Sequence, residues 1–587
     1  MDDVDAVQAQ IARNMLASGD WVTARLDGVA YLEKAPLVYW TMASSYAIFG
    51  VHDWAARIPI ALAAIALCLL TAWFGGWAFG RRAGFYAGLC LATCVGLYLF
   101  TRILIPDVML TGTITLALLG FLRALEEDEP HPRLWAFILA ASLGVGLLLK
   151  SLIAVVFPCG AALVYLLVTR QLLRKQTWHR LHPWSGAAVI LLIAAPWHVL
   201  ATLRNPPYFA FTLHSGPGEY HGFLWFYFIN EQLLRFLNLR YPRDYNTVPR
   251  LYFWLLNLVW LFPWTVYLPA TARLSYKPAD RAGRARLLAL CWAAFVLVFF
   301  TFSTTQEYYS MPCYPAFALL LGSAMATDGE SALMRYGTKL LAVLTGLCAV
   351  AAFAILVLVR SVPTPGDISS ALTSHPAAYT LALGHLEDLT LRSFAYLRAP
   401  LALAAVAFLL GAIGAWFLKT KRAYLAIALM MVLFIHAARL AMAIFDPYMS
   451  SHPLATSLNR VPPGKLIVDD QYYAFSAVFF YTNRRGLLLN GRVTNLEYGS
   501  YAPGAPDVFI NDTQFKNLWL SNQRYYLVAY HSALPRFRSL VGSGNLHMIS
   551  QSGGQVLLTN EPLTTGWSAL ANTWSESIHR RQSVVDR

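Results

Sequence analysis

Apolar runs long enough to cross about 30 Å of hydrocarbon recur along the chain, roughly twelve of them. They fall near 56–79, 83–103, 107–125, 134–150, 152–169, 184–203, 250–271, 284–304, 308–326, 336–360, 399–418 and 422–445. The polar links between them form two sets. Alternate links are short and basic, holding Arg81 and Arg82; Arg123 and Arg133; Arg170, Arg174, Lys175 and Arg180; Arg273, Lys277, Arg281, Arg284 and Arg286; Arg335 and Lys339; and Lys419, Lys421 and Arg422. Short basic links mark the cytoplasmic side. The other set holds two long loops, 204–249 and 361–398, and tight turns near Pro106, Ser151 and Glu307, and is assigned to the outside.

An even number of spans places both termini outside. Residues 1–55 carry no spanning run and no signal peptide, since Met1 is followed at once by Asp2, Asp3 and Asp5. An outward N-terminus then needs a preceding helix lost from the start, the favoured reading, or a re-oriented first hairpin. Residues 6–17 put Val7, Ile11 and Met15 on one helical stripe, and 36–50 is apolar but short. Both read as helices lying in the interface, or as helices packed on the bundle. After Phe445 the pattern changes to short strands at 465–469, 486–490, 507–510, 525–530 and 555–558, with helical patterns at 471–482 and 514–521. The GSG at 542–544 reads as a turn, and the end frays from about 565. The expected fold is an all-α polytopic membrane bundle with interfacial helices and a small C-terminal α/β extracytoplasmic domain. Its parts are a first extracytoplasmic loop (1–55), a transmembrane domain (56–446) and an outer domain (447–587).

Composition supports this frame. The 587 residues are 57% hydrophobic and 13% charged, against about a quarter charged in soluble domains. Aromatics at 14% exclude disorder. The net charge of +14 invites a nucleic-acid reading, but the cations sit in short links between spans, so nucleic acid is excluded as a partner. The seven cysteines lie in predicted spans or at their edges and read as buried apolar thiols without metal-site spacing.

Ionisable groups beside apolar runs are costly and therefore functional candidates. On the outward side these are Asp2, Asp3 and Asp5; Glu33 and Lys34; Arg57; Arg102 and Asp107; Lys150; and Glu307 with Tyr308 and Tyr309. His214, Glu219, His221, Glu231 and Arg235 join them from the long loop. Each has a plainer role available: Arg57 reaching headgroups, Asp107 capping a helix, Lys150 anchoring at the interface, the aspartates forming a solvated tail. Their convergence on one face favours a site. Carboxylates, fixed cations and aromatics at a membrane edge suit sugar transfer from a polyprenyl phosphate. The phosphate needs Lys or Arg, and the acceptor hydroxyl needs a carboxylate to take its proton.

The run from Ile11 to Pro59, with YLEKAPLVYW at its centre, resembles the first exported loop of the GT-C superfamily. That superfamily includes bacterial lipid A aminoarabinose transferases and protein O-mannosyltransferase-like enzymes. TRILIPDVMLTGT (101–113), LLLKS (147–151) and the segment 300–315 resemble its later motifs. The resemblance covers about residues 1–330 and implies about thirteen spans, an undecaprenyl-phosphate-linked sugar donor and a base among the first-loop aspartates. Glu33 and Lys34 match the family's EK pair, which puts Lys34 on the donor phosphate. Arg57, Arg102, Asp107 and Lys150 match further positions. The chain departs from the pattern in four places, the first being that the family's first helix is missing. Counting back from ARNML puts Asp5 at the second acidic position and Val4 at the first, so the base is Asp2, Asp3 or Asp5, with Asp3 and Asp5 favoured. Ser151 stands where glycine is usual, and QEYY replaces a lysine-rich stretch.

The expected function is a membrane glycosyltransferase of the bacterial inner membrane, with its site facing the periplasm and a lipid, glycan or protein hydroxyl as acceptor. No cofactor is expected; a divalent metal is left open. The alternatives are a lipid or sugar transporter or flippase, whose inverted repeats the sequence lacks, and an inactive scaffold.

Overall fold

Apolar runs in lipid must bond every backbone group internally, which makes them helices. The computed structural model describes residues 1–243, 247–327, 329–373 and 384–563. Among these, eight helices are long and apolar enough to cross a membrane: Asp53–Phe79, Asp107–Leu125, Pro132–Lys150, Lys175–Arg204, Arg281–Phe302, Ala332–Leu358, Arg398–Phe417 and Thr420–Met449. Two bent pairs raise the number to 10 if each is one span: Arg81–Ala92 with Val95–Thr101, bent by 52°, and Arg250–Trp260 with Trp264–Thr271, bent by 95°. The helices used below are α1 (Asp3–Ser18), α2 (Leu37–Phe49), α3 (Asp53–Phe79), α4 (Arg81–Ala92), α5 (Val95–Thr101), α6 (Asp107–Leu125) and α7 (Pro132–Lys150).

All of the roughly twelve expected runs are helical; two of them carry these bends and two others give short helices. The run at 152–169 gives Ile153–Val168, only 16 residues. The run at 308–326 starts as a 3₁₀ helix, Glu307–Cys313, before becoming α-helical over Tyr314–Thr327. Pro312 and Pro315 lack the N–H that α-helical bonding would use there. Pro263 sits at the 95° bend. Between α4 and α5, Thr93 Oγ1 bonds back to Leu89 O, and the Val95 N–H leaves the helix for Phe262 O. α3 and α4 pack closely because Gly84 has no side chain, a Cβ there meeting Ala72 O at 2.3 Å.

The N-terminal segment departs from the interfacial reading. α1 is buried on most of its faces, including Ala6, Val7, Ala9, Ile11 and Met15, and packs against α2 and the helix Ser476–Thr482. The aspartates are not a solvated tail: Asp3 and Asp5 are buried. A hairpin follows, β1 (Arg25–Leu26) and β2 (Val29–Ala30), turned by Asp27 and Gly28 at φ 50° and 87°. Two consecutive positive φ values are what a tight two-residue hairpin turn demands, and Asp-Gly meets them at low cost.

The C-terminal residues build a six-stranded sheet: β3 (Lys465–Asp469), β4 (Gly486–Leu489), β5 (Phe509–Ile510), β6 (Tyr525–Tyr530), β7 (His547–Ser552) and β8 (Gln555–Thr559), in the order β5-β4-β3-β6-β8-β7. The first four are parallel and β8 runs antiparallel to both β6 and β7. Five of these strands match expected ones closely. The sixth, β7, was masked by its polar sequence HMISQS, and the helix Leu534–Val541 is also additional. The 542–544 turn forms as expected, and the stretch from about 565 lies outside the described residues. The cysteines are all free; Cys90, Cys94, Cys291 and Cys313 are buried, but Cys159 and Cys348 are exposed on outward helix faces, contrary to the all-buried expectation.

Candidate functional site

The capping of α1 sets the geometry of the acidic cluster. Asp2 is the N-cap, its Oδ1 accepting from the Asp5 N–H at 2.8 Å. Capping leaves Asp3 and Asp5 in the first turn, pointing to different neighbours. Asp3 accepts from Ser451 Oγ at 2.6 Å, Ser451 N at 2.9 Å and Ala477 N at 2.7 Å, so it ties α1 to the C-terminal part. Asp5 turns the other way. Its Oδ2 accepts from Arg57 Nη2 at 2.6 Å and its Oδ1 from the Leu104 N–H at 2.7 Å. Burial pushes both carboxyls up to about 7, against the lowering effect of these donors.

Loop 102–106 links Asp5 to the next group. Arg57 also donates to Arg102 O, while Arg102 itself turns to Tyr98 Oη at 3.1 Å. Asp107 opens α6 behind Pro106, but its side chain caps nothing: Oδ1 takes the Lys150 ammonium at 2.6 Å. Lys150 ends α7 and lies over the rings of Tyr308 and Tyr309, 5.0 and 4.9 Å from their centroids. The next residue, Ser151, holds φ 61° and ψ −148°, a region that glycine occupies most easily. A glycine preference at this position is thus explained by backbone geometry.

The hairpin and Pro36, the N-cap of α2, bracket the bend carrying Glu33 and Lys34. Glu33 is buried and accepts from Tyr31 Oη at 3.1 Å, Arg240 Nη2 at 2.9 Å and Asn495 Nδ2 at 3.0 Å. Arg240, with a fully buried side chain, also bonds Glu231 through Nε. Glu231 lies on a π-helix, Trp225–Leu234, and takes Arg235 Nη1 at 2.9 Å as well. Burial alone would raise its carboxyl, but Arg240, Arg235 and Lys34 outweigh it and hold it down to about 2. Lys34 differs from its neighbours: it is 33% exposed, and its nearest carboxylate, Glu33 Oε2, is 3.8 Å away. It is the loosely held cation of the group.

The expected residues are therefore gathered in part. Asp5, Arg57 and the Arg102 backbone form one group; Asp107, Lys150 and Tyr308 form a second, joined to the first through loop 102–106; and Glu33 and Lys34 form a third. Arg235 pairs with Glu231, beside the third group. Glu307 is buried at the start of the 3₁₀ helix next to Tyr308. Asp3 faces away, and His214 and Glu219 are exposed on the long loop. Sequence reasoning missed Arg240, Tyr31, Tyr473 and Asn495. The Tyr473 hydroxyl meets that of Tyr31 at 2.8 Å, so loops after β3 and β4 complete the Glu33 cage. Arg240, in NLRYPRD, follows an aromatic π-helix and precedes a proline, which was a usable signal; Tyr473 and Asn495 had none. Among the described residues no three His, Cys, Asp or Glu side chains gather as a metal site would need.

Arg240 is the keystone of this cage. Arg240→Met is expected to cost about 3–5 kcal/mol, because it takes the shared guanidinium from two buried carboxylates, Glu33 and Glu231. Thermal unfolding of the purified protein in detergent tests this; a melting temperature unchanged within error contradicts it.

Known proteins resemble this chain in sequence and in fold. Residues 33–199, which contain Glu33, Lys34, Arg57, Arg102, Asp107 and Lys150, match the family described as dolichyl-phosphate-mannose-protein mannosyltransferase. The undecaprenyl phosphate-alpha-4-amino-4-deoxy-L-arabinose arabinosyl transferase of Aeromonas salmonicida is 27% identical over 365 residues, 61% of this chain and 62% of that protein. Its namesake from Pseudomonas aeruginosa (strain UCBPP-PA14) is 30% identical over 369 residues, 60% of this chain and 61% of that protein. The chain thus spans about three fifths of the length of the curated relatives it matches. The crystal structure of ArnT from Cupriavidus metallidurans bound to undecaprenyl phosphate superposes with a TM-score of 0.77 at 23% identity, over 96% of this chain and 94% of that one. This chain is an integral membrane protein with the ArnT fold, and its resemblance to the GT-C glycosyltransferases holds in both sequence and architecture.

Proposed function

We propose that the chain is a membrane glycosyltransferase that moves a sugar from an undecaprenyl-phosphate-type donor to a hydroxyl of a lipid A-like acceptor. The observation that carries it is the buried carboxylate Asp5, oriented by Arg57 and the Leu104 N–H, in a chain that also holds a partly exposed cation, Lys34, whose nearest carboxylate oxygen is 3.8 Å away. The similarity to the arabinosyl transferases supports the donor class.

The reaction is a single displacement. Asp5 takes the proton of the acceptor hydroxyl, whose oxygen bonds to the anomeric carbon as the bond from that carbon to the phosphate oxygen breaks. The electron pair leaves with the phosphate, and Lys34 meets the developing charge. Arg57 and the Leu104 N–H orient Asp5. Asp2 and Asp3 are read as cap and tie rather than base. The basic links, among them Arg123 at the far end of α6, face the cytoplasm; the site and the sheet domain after residue 446 face the periplasm across the inner membrane. The two short helices cross with help from their turns, keeping the alternation of sides.

The pH profile tests the assignment of the base. Asp5 is neutral below about 7 and ionised above it, and only the ionised form accepts a proton. Log kcat/KM for an undecaprenyl-phosphate-linked sugar is therefore expected to rise with pH and level off above about 7. A flat profile between pH 5 and 8 contradicts Asp5 as base.

A further inference from the structure

At the opposite end of α6 from Asp107 the chain builds a second polar cavity. α6 has 19 residues, so about 28 Å separates its two ends. Past Leu125, the loop after α6, the segment 171–180 and the start of the helix Arg281–Phe302 enclose about 410 Å³.

The charges lining this cavity do not cancel. Glu126 is buried and bound by both arms of Arg284, each at 2.7 Å. Asp128 pairs with Arg281. The Arg174 side chain makes no hydrogen bond or ion pair among the described residues, and the Arg180 guanidinium donates only to the backbone carbonyls of Ala124 and Glu126. Arg281 Nε is buried without a hydrogen bond, its nearest carboxylate oxygen at 3.7 Å. Of the two exposed carboxylates, Asp128 is taken by Arg281, which leaves Glu127 against these donors. Residues 170–182 add Arg170 and Lys175 and hold no acid. Leu173, next to Arg174 in the chain, is 94% exposed and Trp184, four residues after Arg180, 89% exposed; such side chains suit the headgroup boundary.

We propose that this cavity binds an anionic phosphate group, gripped by Arg174 and Arg180. Guanidinium groups suit phosphate oxygens through paired hydrogen bonds. The phosphate is that of a phospholipid headgroup whose chains run down past Leu173 and Trp184, or a free phosphate from solution; the chemistry of the grip is shared. The site is separate from the transfer centre and stands whether or not that centre performs the proposed reaction.

The test uses the full chain in phosphatidylcholine nanodiscs, with bound lipid read by native mass spectrometry as phosphatidylglycerol is titrated in, and inorganic phosphate added in a parallel arm. Phosphatidylglycerol is expected to be retained at least tenfold over phosphatidylcholine. Arg174→Gln, which removes no intramolecular bond, is expected to cut that preference at least fivefold, and Arg174→Gln with Arg180→Gln to abolish it. Loss of the preference on adding millimolar phosphate, with phosphate retained by the wild type and not by Arg174→Gln, identifies free phosphate as the occupant of the same grip. No retention of either anion, or retention equal in the wild type and the Arg174→Gln variant, overturns the proposal.

Discussion

Asp5→Asn is expected to lower turnover about a thousandfold, the middle of the range for losing a positioned general base, while leaving a folded protein. The substitution keeps the shape of the side chain, and the amide oxygen can still accept from either Arg57 or the Leu104 N–H. What it removes is proton affinity at the end of α1 that faces loop 102–106. Asp3→Asn is the matched control. Asp3 has similar burial and the same upward-pushed carboxyl, but its donors are Ser451 and Ala477, so its replacement is expected to lower the melting temperature and spare turnover per folded molecule. Kinetics and thermal unfolding of the two variants side by side separate the roles. Equal loss of turnover in both would place the chemistry elsewhere on α1.

Lys34→Ala carries the second large effect, about a hundredfold to a thousandfold in kcat, the magnitude of losing one charge-stabilising donor in a transition state. The position of Lys34 explains why the loss falls on turnover rather than on folding. Glu33 is already satisfied by Arg240, Tyr31 and Asn495, so the cage survives without the ammonium at 3.8 Å. Lys34→Arg keeps the charge and is expected to recover part of the rate. Steady-state kinetics read the effect. A raised KM with kcat intact would make Lys34 a holder of bound donor and not a stabiliser of the leaving phosphate.

The bundle was legible in the sequence because hydrophobic length is a one-dimensional property. Every apolar run became helix. Their continuity was less legible: the break at Thr93 depends on the Val95 N–H finding Phe262 O outside its own helix, and the sequence alone does not say which proline bends a run, as the one at Pro263 does. The site was legible wherever one residue sat at a membrane edge against its own local pattern, as with Glu33, Lys34, Asp107 and Lys150. Partnerships across long sequence separations were not. Nothing near Glu33 announces Asn495, 462 residues away, and nothing near Asp3 announces Ser451. The direction of each aspartate in DDVD was likewise decided by which residue caps α1, a choice that the spacing alone left open.

The most direct measurement is release of undecaprenyl phosphate from a panel of undecaprenyl-phosphate-linked sugars by the purified full-length chain, with and without a lipid A acceptor, beside Asp5→Asn. Glycosyl transfer predicts that one donor is consumed, that release depends on the acceptor, and that a stoichiometric amount of glycosylated acceptor appears, all lost in the variant. Folded wild-type protein that consumes no donor, or that consumes it equally well with asparagine at position 5, contradicts the account.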